Sequence, residues 1–150
     1  MKSVTMGAVV DESIQRAEWG EPVSDNDFAR VESRLPSTIP TAWREYLQSE
    51  RWLRAGWLES GDYVQLFDPV EALGLLEAWG EAVSLHPGIF FLGGDGSRNL
   101  YCIDLRDREP AVQLTDIASS GWHDAEPLLT SVQEFVQAVR TGEFRAYPGD

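Results

Sequence analysis

The stretch Ile89–Leu105, which reads IFFLGGDGSRNLYCIDL, decides the fold. An apolar run, Ile89–Leu92, is followed by a cluster of Gly, Asp and Ser residues and then by a second apolar run, Leu100–Leu105. Two such runs separated by turn-forming residues predict a β-hairpin. We expect the three glycines within Gly93–Gly96 to supply the positive φ angles that the connection needs.

Two short helices are predicted well before the hairpin. The first begins at Ser24, an N-cap residue followed by acidic side chains that favour the first turn, and it ends at Pro36. The second begins at Pro40, because proline is tolerated at the first helical position. Their apolar residues fall on one helical face each: Phe28, Val31 and Leu35 in the first, Trp43, Tyr46 and Leu47 in the second.

Two further helices are predicted on either side of the hairpin. Asp68 followed by Pro69 is typical of a helix start, and apolar residues then recur at helical spacing: Val70, Leu73, Leu76, Trp79 and Val83. The last helix begins at Ser131, with Glu134 completing the pattern of a capping box. It ends at Gly142, where a helix C-terminal glycine belongs.

The remaining segments predict strands or leave alternatives open. Tyr63–Phe67 and Ala111–Thr115 have the composition of strands, and Ala118–Asp124 is read as a polar connection. Glu50–Gly61 is either a helix end with a loop or a first strand, and Asp11–Trp19 is either a short helix or an ordered arm.

Consecutive strands following a helix pair predict an α+β fold in a single domain. We expect an antiparallel meander with an N-terminal helix pair, a mid-chain helix and a C-terminal helix packed against it. Residues 1–22 are expected to form an N-terminal arm, and residues 23–150 the domain proper.

The charge distribution is the strongest signal in the composition. The net charge is −13, and no Lys or Arg occurs from Ala55 to Ser97 or from Pro110 to Val139. This balance disfavours nucleic-acid and anionic-membrane binding, which require basic side chains. It favours a cationic partner through long-range attraction, although acidic charge that only keeps the protein soluble is the alternative.

The sequence also predicts a cellular setting. Cys102 is the only cysteine, so no disulfide framework exists and a reducing compartment is expected. We identify no signal peptide and no apolar run of membrane-spanning length. These observations predict a soluble, cytoplasmic protein.

No catalytic or metal-binding pattern stands out. His86 and His123 lie in predicted loops, and Cys102 lies in a predicted strand, where a buried structural thiol is the favoured interpretation. The alternation Asp95, Ser97, Asn99 is compatible with calcium ligation, but the Gly and Glu of an EF-hand loop are missing, so a hairpin turn is favoured. We therefore predict no enzyme activity, no metal and no cofactor.

Three motifs in order resemble the SUKH superfamily, the Smi/Knr-like domains. The opening pattern of the superfamily is similar to Leu35-Pro36 with Ile39-Pro40, followed by Trp43 and Tyr46-Leu47. Its strand–turn–strand motif is similar to Phe91–Ser97 with Leu100–Asp104, and its terminal helix is similar to Ser131–Val136. The resemblance covers about Val23 to Arg140. This superfamily includes yeast cell-wall regulators and many bacterial immunity proteins.

The resemblance implies a non-enzymatic protein-binding domain. The first expectation is an immunity protein that neutralises a cognate bacterial toxin, a basic toxin domain, by occluding its active region. The alternative is an intracellular regulatory scaffold of the Smi/Knr type that binds endogenous proteins. The oligomeric state stays open.

The acidic stretch from Glu59 to Glu81 is the candidate partner-binding surface, with Trp57 or Trp52 as an apolar anchor. The alternative is a solvated helix face with Asp68 as a cap. The candidate binding residues are Trp57, Glu59, Asp62, Glu71, Glu77, Glu81 and Asp95.

Overall fold

A single antiparallel sheet runs through the part of the chain that the computed structural model describes, residues 14–146. Each strand pairs with its neighbours in sequence, so the sheet is a meander. The strands are β1 (Gln15–Gly20), β2 (Trp52–Trp57), β3 (Tyr63–Leu66), β4 (Ile89–Gly94), β5 (Asn99–Asp104), β6 (Val112–Asp116) and β7 (Glu126–Leu129). The hairpin predicted from Ile89–Leu105 is confirmed as β4 and β5.

Helices accompany the sheet at the predicted places. They are α1 (Asp25–Glu32), α2 (Thr41–Leu47), α3 (Pro69–Trp79) and α4 (Val132–Thr141), with 3₁₀ helices at Gly80–Leu85 and Trp122–Asp124. The predicted α+β class with helices packed against an antiparallel meander is confirmed.

Three of the predicted helix starts are confirmed by side-chain hydrogen bonds, whereas α2 begins at Thr41, one residue after the predicted Pro40, without such a bond. The Ser24 hydroxyl accepts the backbone N–H of Asp27 at 3.1 Å, and the Ser131 hydroxyl accepts that of Glu134 at 3.1 Å. At α3 the Asp68 carboxylate accepts the backbone N–H of Glu71 at 2.8 Å, and the Glu71 carboxylate accepts that of Asp68 at 3.0 Å. These side chains satisfy helix N–H groups that have no partner within the helix.

Two hydrophobic clusters lie on the two faces of the sheet. The larger one buries α2 and α4, with Trp43 and Phe135 packed at 5.9 Å between ring centroids, against Tyr101 of β5. The smaller one is formed on the opposite face of β4 and β5 by Ile89, Phe91, Leu100 and Cys102, covered by Leu75, Leu76, Trp79, Val83 and Trp122. The helix α3 contributes to both clusters, because Ala72 packs in the larger one.

Two glycines of the hairpin have a different role from the one predicted. Of the three within Gly93–Gly96, only Gly96 has a positive φ, of 80°. At Gly93 a Cβ atom would lie 2.1 Å from the carbonyl oxygen of Gln65, because β3 and β4 approach closely there. Close backbone approach, rather than turn geometry, explains Gly93.

The helix considered for Asp11–Trp19 is wrong over its described part. Residues 15–20 form β1, which pairs with β2 and brings Trp19 opposite Leu53. The rest of that segment and most of the predicted arm, residues 1–13, lie outside the described residues. Pairing with β1 and β3 also decides the open segment Glu50–Gly61, whose central residues form the strand β2.

Two further details depart from the sequence pattern. Val70 was predicted to lie on the buried face of α3, but it is 40% exposed, whereas Ala72 is fully buried. The helix α3 packs against both the sheet and α1, so its buried surface differs from the single face that the sequence predicted. The strand β7 was not predicted at all. Its sequence contains Pro127 and only two apolar residues, so it carries little strand signal, and it pairs as an edge strand on β6.

Candidate interaction surface

The predicted anchor Trp57 lies at the end of β2, with its side chain 44% exposed. It pairs across strands with Tyr63, and the two ring centroids are 5.2 Å apart. Tyr63 is half-buried. An exposed tryptophan on a strand, backed by a second aromatic ring, has the properties of an interface anchor. The other candidate anchor, Trp52, is buried and donates its indole N–H to the carbonyl of Glu21 at 2.8 Å.

The two acidic residues that follow Trp57 differ in role. Glu59 is exposed in the loop between β2 and β3. The Asp62 carboxylate accepts the backbone N–H of Ala146 at 2.6 Å, and the backbone of Asp62 accepts that of Leu58 at 2.8 Å. Asp62 therefore fastens the chain that follows α4 to this loop, and its carboxylate has a structural partner.

Two of the three candidate carboxylates on α3 and the 3₁₀ helix are paired within the chain. Glu71 accepts a hydrogen bond from the Arg54 guanidinium at 2.8 Å, and Glu77 accepts one from Arg34 at 3.1 Å. Both arginines come from outside the stretch that lacks basic residues: Arg54 lies on β2, and Arg34 follows the end of α1. Glu81 is exposed on the 3₁₀ helix and takes part in none of the ion pairs of the described residues.

The turn of the hairpin lies beside the aromatic pair. Asp95 accepts the backbone N–H groups of Ser97 at 2.9 Å and Asn99 at 3.3 Å. The interpretation of these residues as a hairpin turn that bonds its own backbone is confirmed. A Cβ atom at Gly96 would lie 3.0 Å from the Tyr63 ring, so the turn and the ring are in contact range.

The basic residue of this turn, Arg98, forms an ion pair with Asp116. Arg98 donates two hydrogen bonds to Asp116 at the end of β6, at 3.0 and 3.3 Å. These hydrogen bonds lower the pKa of the Asp116 carboxyl. The guanidinium of Arg98 is therefore directed to β6.

The candidate residues thus divide into two groups rather than forming one surface. Trp57, Glu59 and Asp95 lie around the end of β2 and the hairpin turn, whereas Glu71, Glu77 and Glu81 lie on α3 and the 3₁₀ helix that follows it. Sequence reasoning missed Tyr63 as a partner of Trp57. The signal that could have identified it is the strand pattern of Tyr63–Phe67, which places Tyr63 opposite Trp57 once β2 is known to be a strand.

The cysteine and the histidines take structural positions. Cys102 is fully buried in β5, as predicted, and burial raises the pKa of its thiol far above the ordinary value. His86 is also fully buried, which the sequence did not indicate. Its Nδ1 is 2.9 Å from the carbonyl oxygen of Ala82, and its Nε2 is 2.9 Å from the hydroxyl of Ser119.

The described part of the chain shows neither a cluster suited to a metal nor a membrane-spanning helix. Within residues 14–146, no group of three or more His, Cys, Asp or Glu side chains is placed to hold an ion. None of the helices in that range has the length and apolar character that crossing a bilayer requires.

No family model matches this chain, and no curated protein matches it.

Proposed function

We propose that this protein is a non-enzymatic binding domain, a SUKH-like immunity protein that sequesters a cognate basic toxin domain in the cytoplasm. It would act by occluding the active region of the toxin, through electrostatic attraction followed by steric blockage. No cofactor takes part in this mechanism.

The positions of the resembling motifs support the proposal. The Leu-Pro and Ile-Pro pairs lie at the end of α1 and the start of α2, the Gly-rich motif forms the turn of β4 and β5, and Ser131 caps α4. The motifs therefore fall on elements of the same type and order as the SUKH pattern implies.

The observation that carries the proposal is the surplus of unpaired carboxylates. Six arginines already form ion pairs with acidic groups of the described chain: Arg30, Arg34, Arg44, Arg54, Arg98 and Arg106. Exposed carboxylates such as Glu18, Glu59 and Glu81 have no such partner among these residues. With a net charge of −13, this surface attracts a basic protein and speeds its association.

Co-expression with the neighbouring gene tests the role. The C-terminal domain of a secreted protein encoded next to this chain is induced in a bacterial host, with and without this protein, and surviving colonies are counted. We expect restored growth only when this protein is present. The matched control is an unrelated acidic protein of similar size, which must not restore growth.

Two results would contradict the immunity role. The first is a neighbouring product that is toxic but equally toxic in the presence of this protein. The second is rescue without a stable complex on size-exclusion chromatography, which would exclude sequestration. Stable binding to a non-toxic endogenous protein, with no rescue, would favour the regulatory scaffold instead.

A further inference from the structure

One face of the sheet is covered over only half of its width. Cross-strand pairs place Ala55, Gln65, Gly94 and Leu100 in one row, so these residues share a face. Leu100 belongs to the smaller hydrophobic cluster, which the C-terminal half of α3 and Trp122 cover. Gln65 is exposed. The covering layer therefore ends between β5 and β3.

The uncovered half carries an aromatic centre. Trp57 and Tyr63 pair with each other two residues along the strands from Ala55 and Gln65, so their side chains lie on the same face. Both rows continue onto β1, where Gln15 pairs with Trp57 and Glu18 pairs with Ala55, with a register shift between these two pairs. We call the surface formed by Glu18, Trp57, Tyr63 and Gln65 the open face.

Elsewhere the chain stacks its own arginines on aromatic rings. Within residues 14–146 the structure shows four such contacts, with the guanidinium carbon 4.0–4.8 Å from the ring centroid: Arg44 on Phe28, Arg51 on Trp19, Arg54 on Trp52 and Arg140 on Tyr46. Stacking a cation on a ring is favourable even at exposed sites, because the cation is attracted to the negative face of the ring. In this protein it is a recurrent arrangement.

The aromatic pair of the open face is different. Within residues 14–146, no arginine stacks on Trp57 or Tyr63. The nearest basic residues in sequence are directed elsewhere, Arg54 to the N-terminus of α3 and Arg98 to Asp116. Glu18 of the open face and Glu59, two residues after Trp57 in the β2–β3 loop, form no ion pair within residues 14–146. The open face therefore presents aromatic and anionic groups, and no arginine of residues 14–146 stacks on its rings.

We propose that the open face binds a basic segment of a partner protein, with an arginine or lysine of that segment stacked on Trp57 and contacting Glu59 or Glu18. The inference rests on the proposed function, because the partner is the same basic protein. Beyond the proposed function, the inference specifies which surface binds the partner and which type of side chain of the partner is recognised.

A titration with hexa-arginine peptide tests the surface directly. The six tryptophans give separate indole N–H signals in ¹H–¹⁵N NMR spectra, and the signal of Trp57 is assigned by its loss in Trp57→Ala. We expect the largest saturable shift at the Trp57 indole, with accompanying shifts of the backbone amides of Tyr63 and Gly96. A hexa-glutamate peptide must cause none of them.

Two variants with the same change in charge, one near the open face and one on α2, distinguish binding at the open face from attraction to the overall negative charge. We expect Glu59→Lys to weaken peptide binding about tenfold and Trp57→Ala about fivefold, whereas Glu45→Lys, at an exposed site on α2, changes it less than twofold. Circular dichroism confirms that each variant is folded. Because Glu59 is exposed and its side chain forms no hydrogen bond or ion pair within residues 14–146, its variant keeps the test valid if Trp57→Ala unfolds.

Three outcomes would overturn the inference. They are a largest shift at the Trp79 or Trp122 indole, equal weakening by Glu45→Lys and Glu59→Lys, and unchanged affinity in Trp57→Ala. Its failure is distinguishable from failure of the proposed function. Full growth rescue by a folded Trp57→Ala variant rejects the open face and leaves the immunity role standing, while absent rescue by the natural protein rejects only the role.

Discussion

The two halves of one face of the sheet differ in whether a helix covers them. Over β4 and β5, Phe91 is fully buried beneath Trp79, with 4.8 Å between ring centroids. Over β2 and β3, the pair Trp57 and Tyr63 has comparable aromatic area but stays in contact with solvent. Both halves begin as aromatic surface on a strand. Only the first receives a helix.

The difference shows what a covering layer requires. The layer over β4 and β5 is closed by the buried His86, which hydrogen-bonds the 3₁₀ helix on one side and the β6–β7 connection on the other. Its ring also meets those of Trp79 and Trp122 edge-on, at 5.3 and 5.8 Å. The open face has no element of this kind among the described residues. Burial thus stabilises the fold in one half, and exposure makes the other half available for binding.

The largest expected effect is the removal of a ring from the covered half. Phe91→Ala should lower the free energy of unfolding by about 3–5 kcal/mol, because it leaves a cavity beneath Trp79. Trp57→Ala in the open half should lower it by about 1 kcal/mol or less, since the side chain is already 44% exposed. Urea unfolding followed by circular dichroism measures both. Equal losses would mean that the two halves contribute alike to stability.

The next test concerns the histidine that closes the covered half. His86→Phe keeps an aromatic ring but removes both hydrogen bonds, so we expect a loss of about 1–2 kcal/mol in unfolding free energy. A changed near-UV circular dichroism signal should accompany it, because Trp79 and Trp122 contact the ring.

The matched control for that test is His123→Phe. The His123 side chain is 73% exposed, and a loss below about 0.5 kcal/mol is expected there. If His86→Phe proves as mild as the control, the two hydrogen bonds do not hold the covering layer in place.

The smallest effect depends on pH. Asp104 shares a row with Ile89 at the end of the covered half. Burial by itself raises the pKa of the Asp104 carboxyl, but the hydrogen bonds from Arg106 outweigh it and the pKa is lowered. Because the pKa is lowered in the folded state, the ionised carboxylate stabilises the fold at pH values above the ordinary pKa of an aspartate. This contribution is lost as the pH falls through the folded-state pKa.

We therefore expect Asp104→Asn to cost about 1 kcal/mol at pH 7 and progressively less below about pH 4. Urea midpoints at a series of pH values measure the difference from the natural protein. The neighbouring Asp107→Asn, at an exposed carboxylate, is the control and should show almost none. A difference that stays constant down to pH 3 would contradict the role of the ionised carboxylate.

Local signals predicted most of the elements. Ser24, Asp68 and Ser131 each bond the N–H group three residues later, a contact that depends only on nearby sequence. The hairpin turn is equally local, because Asp95 bonds residues two and four positions away. The strands β1 and β7 carry weak local patterns and exist through pairing with β2 and β6, which the sequence alone does not reveal.

The candidate surface was predicted less well for the same reason. The absence of Lys and Arg from Ala55 to Ser97 suggested a free acidic surface, yet Arg34 and Arg54 reach Glu77 and Glu71 from other elements. Charge along a sequence differs from charge on a surface, because folding brings distant residues within ion-pair distance. Trp57 was predicted as an anchor from composition, and its exposure became known only from the sheet.

The sequence by itself determined the helix starts, the hairpin of β4 and β5, the α+β class and the acidic balance, since these follow from neighbouring residues and from totals. Only the tertiary structure decided which half of the sheet face is covered, which carboxylates are paired and that His86 is buried. Those properties depend on contacts between residues far apart in the chain. Such contacts decide why Phe91 lies beneath a helix while Trp57 stays exposed.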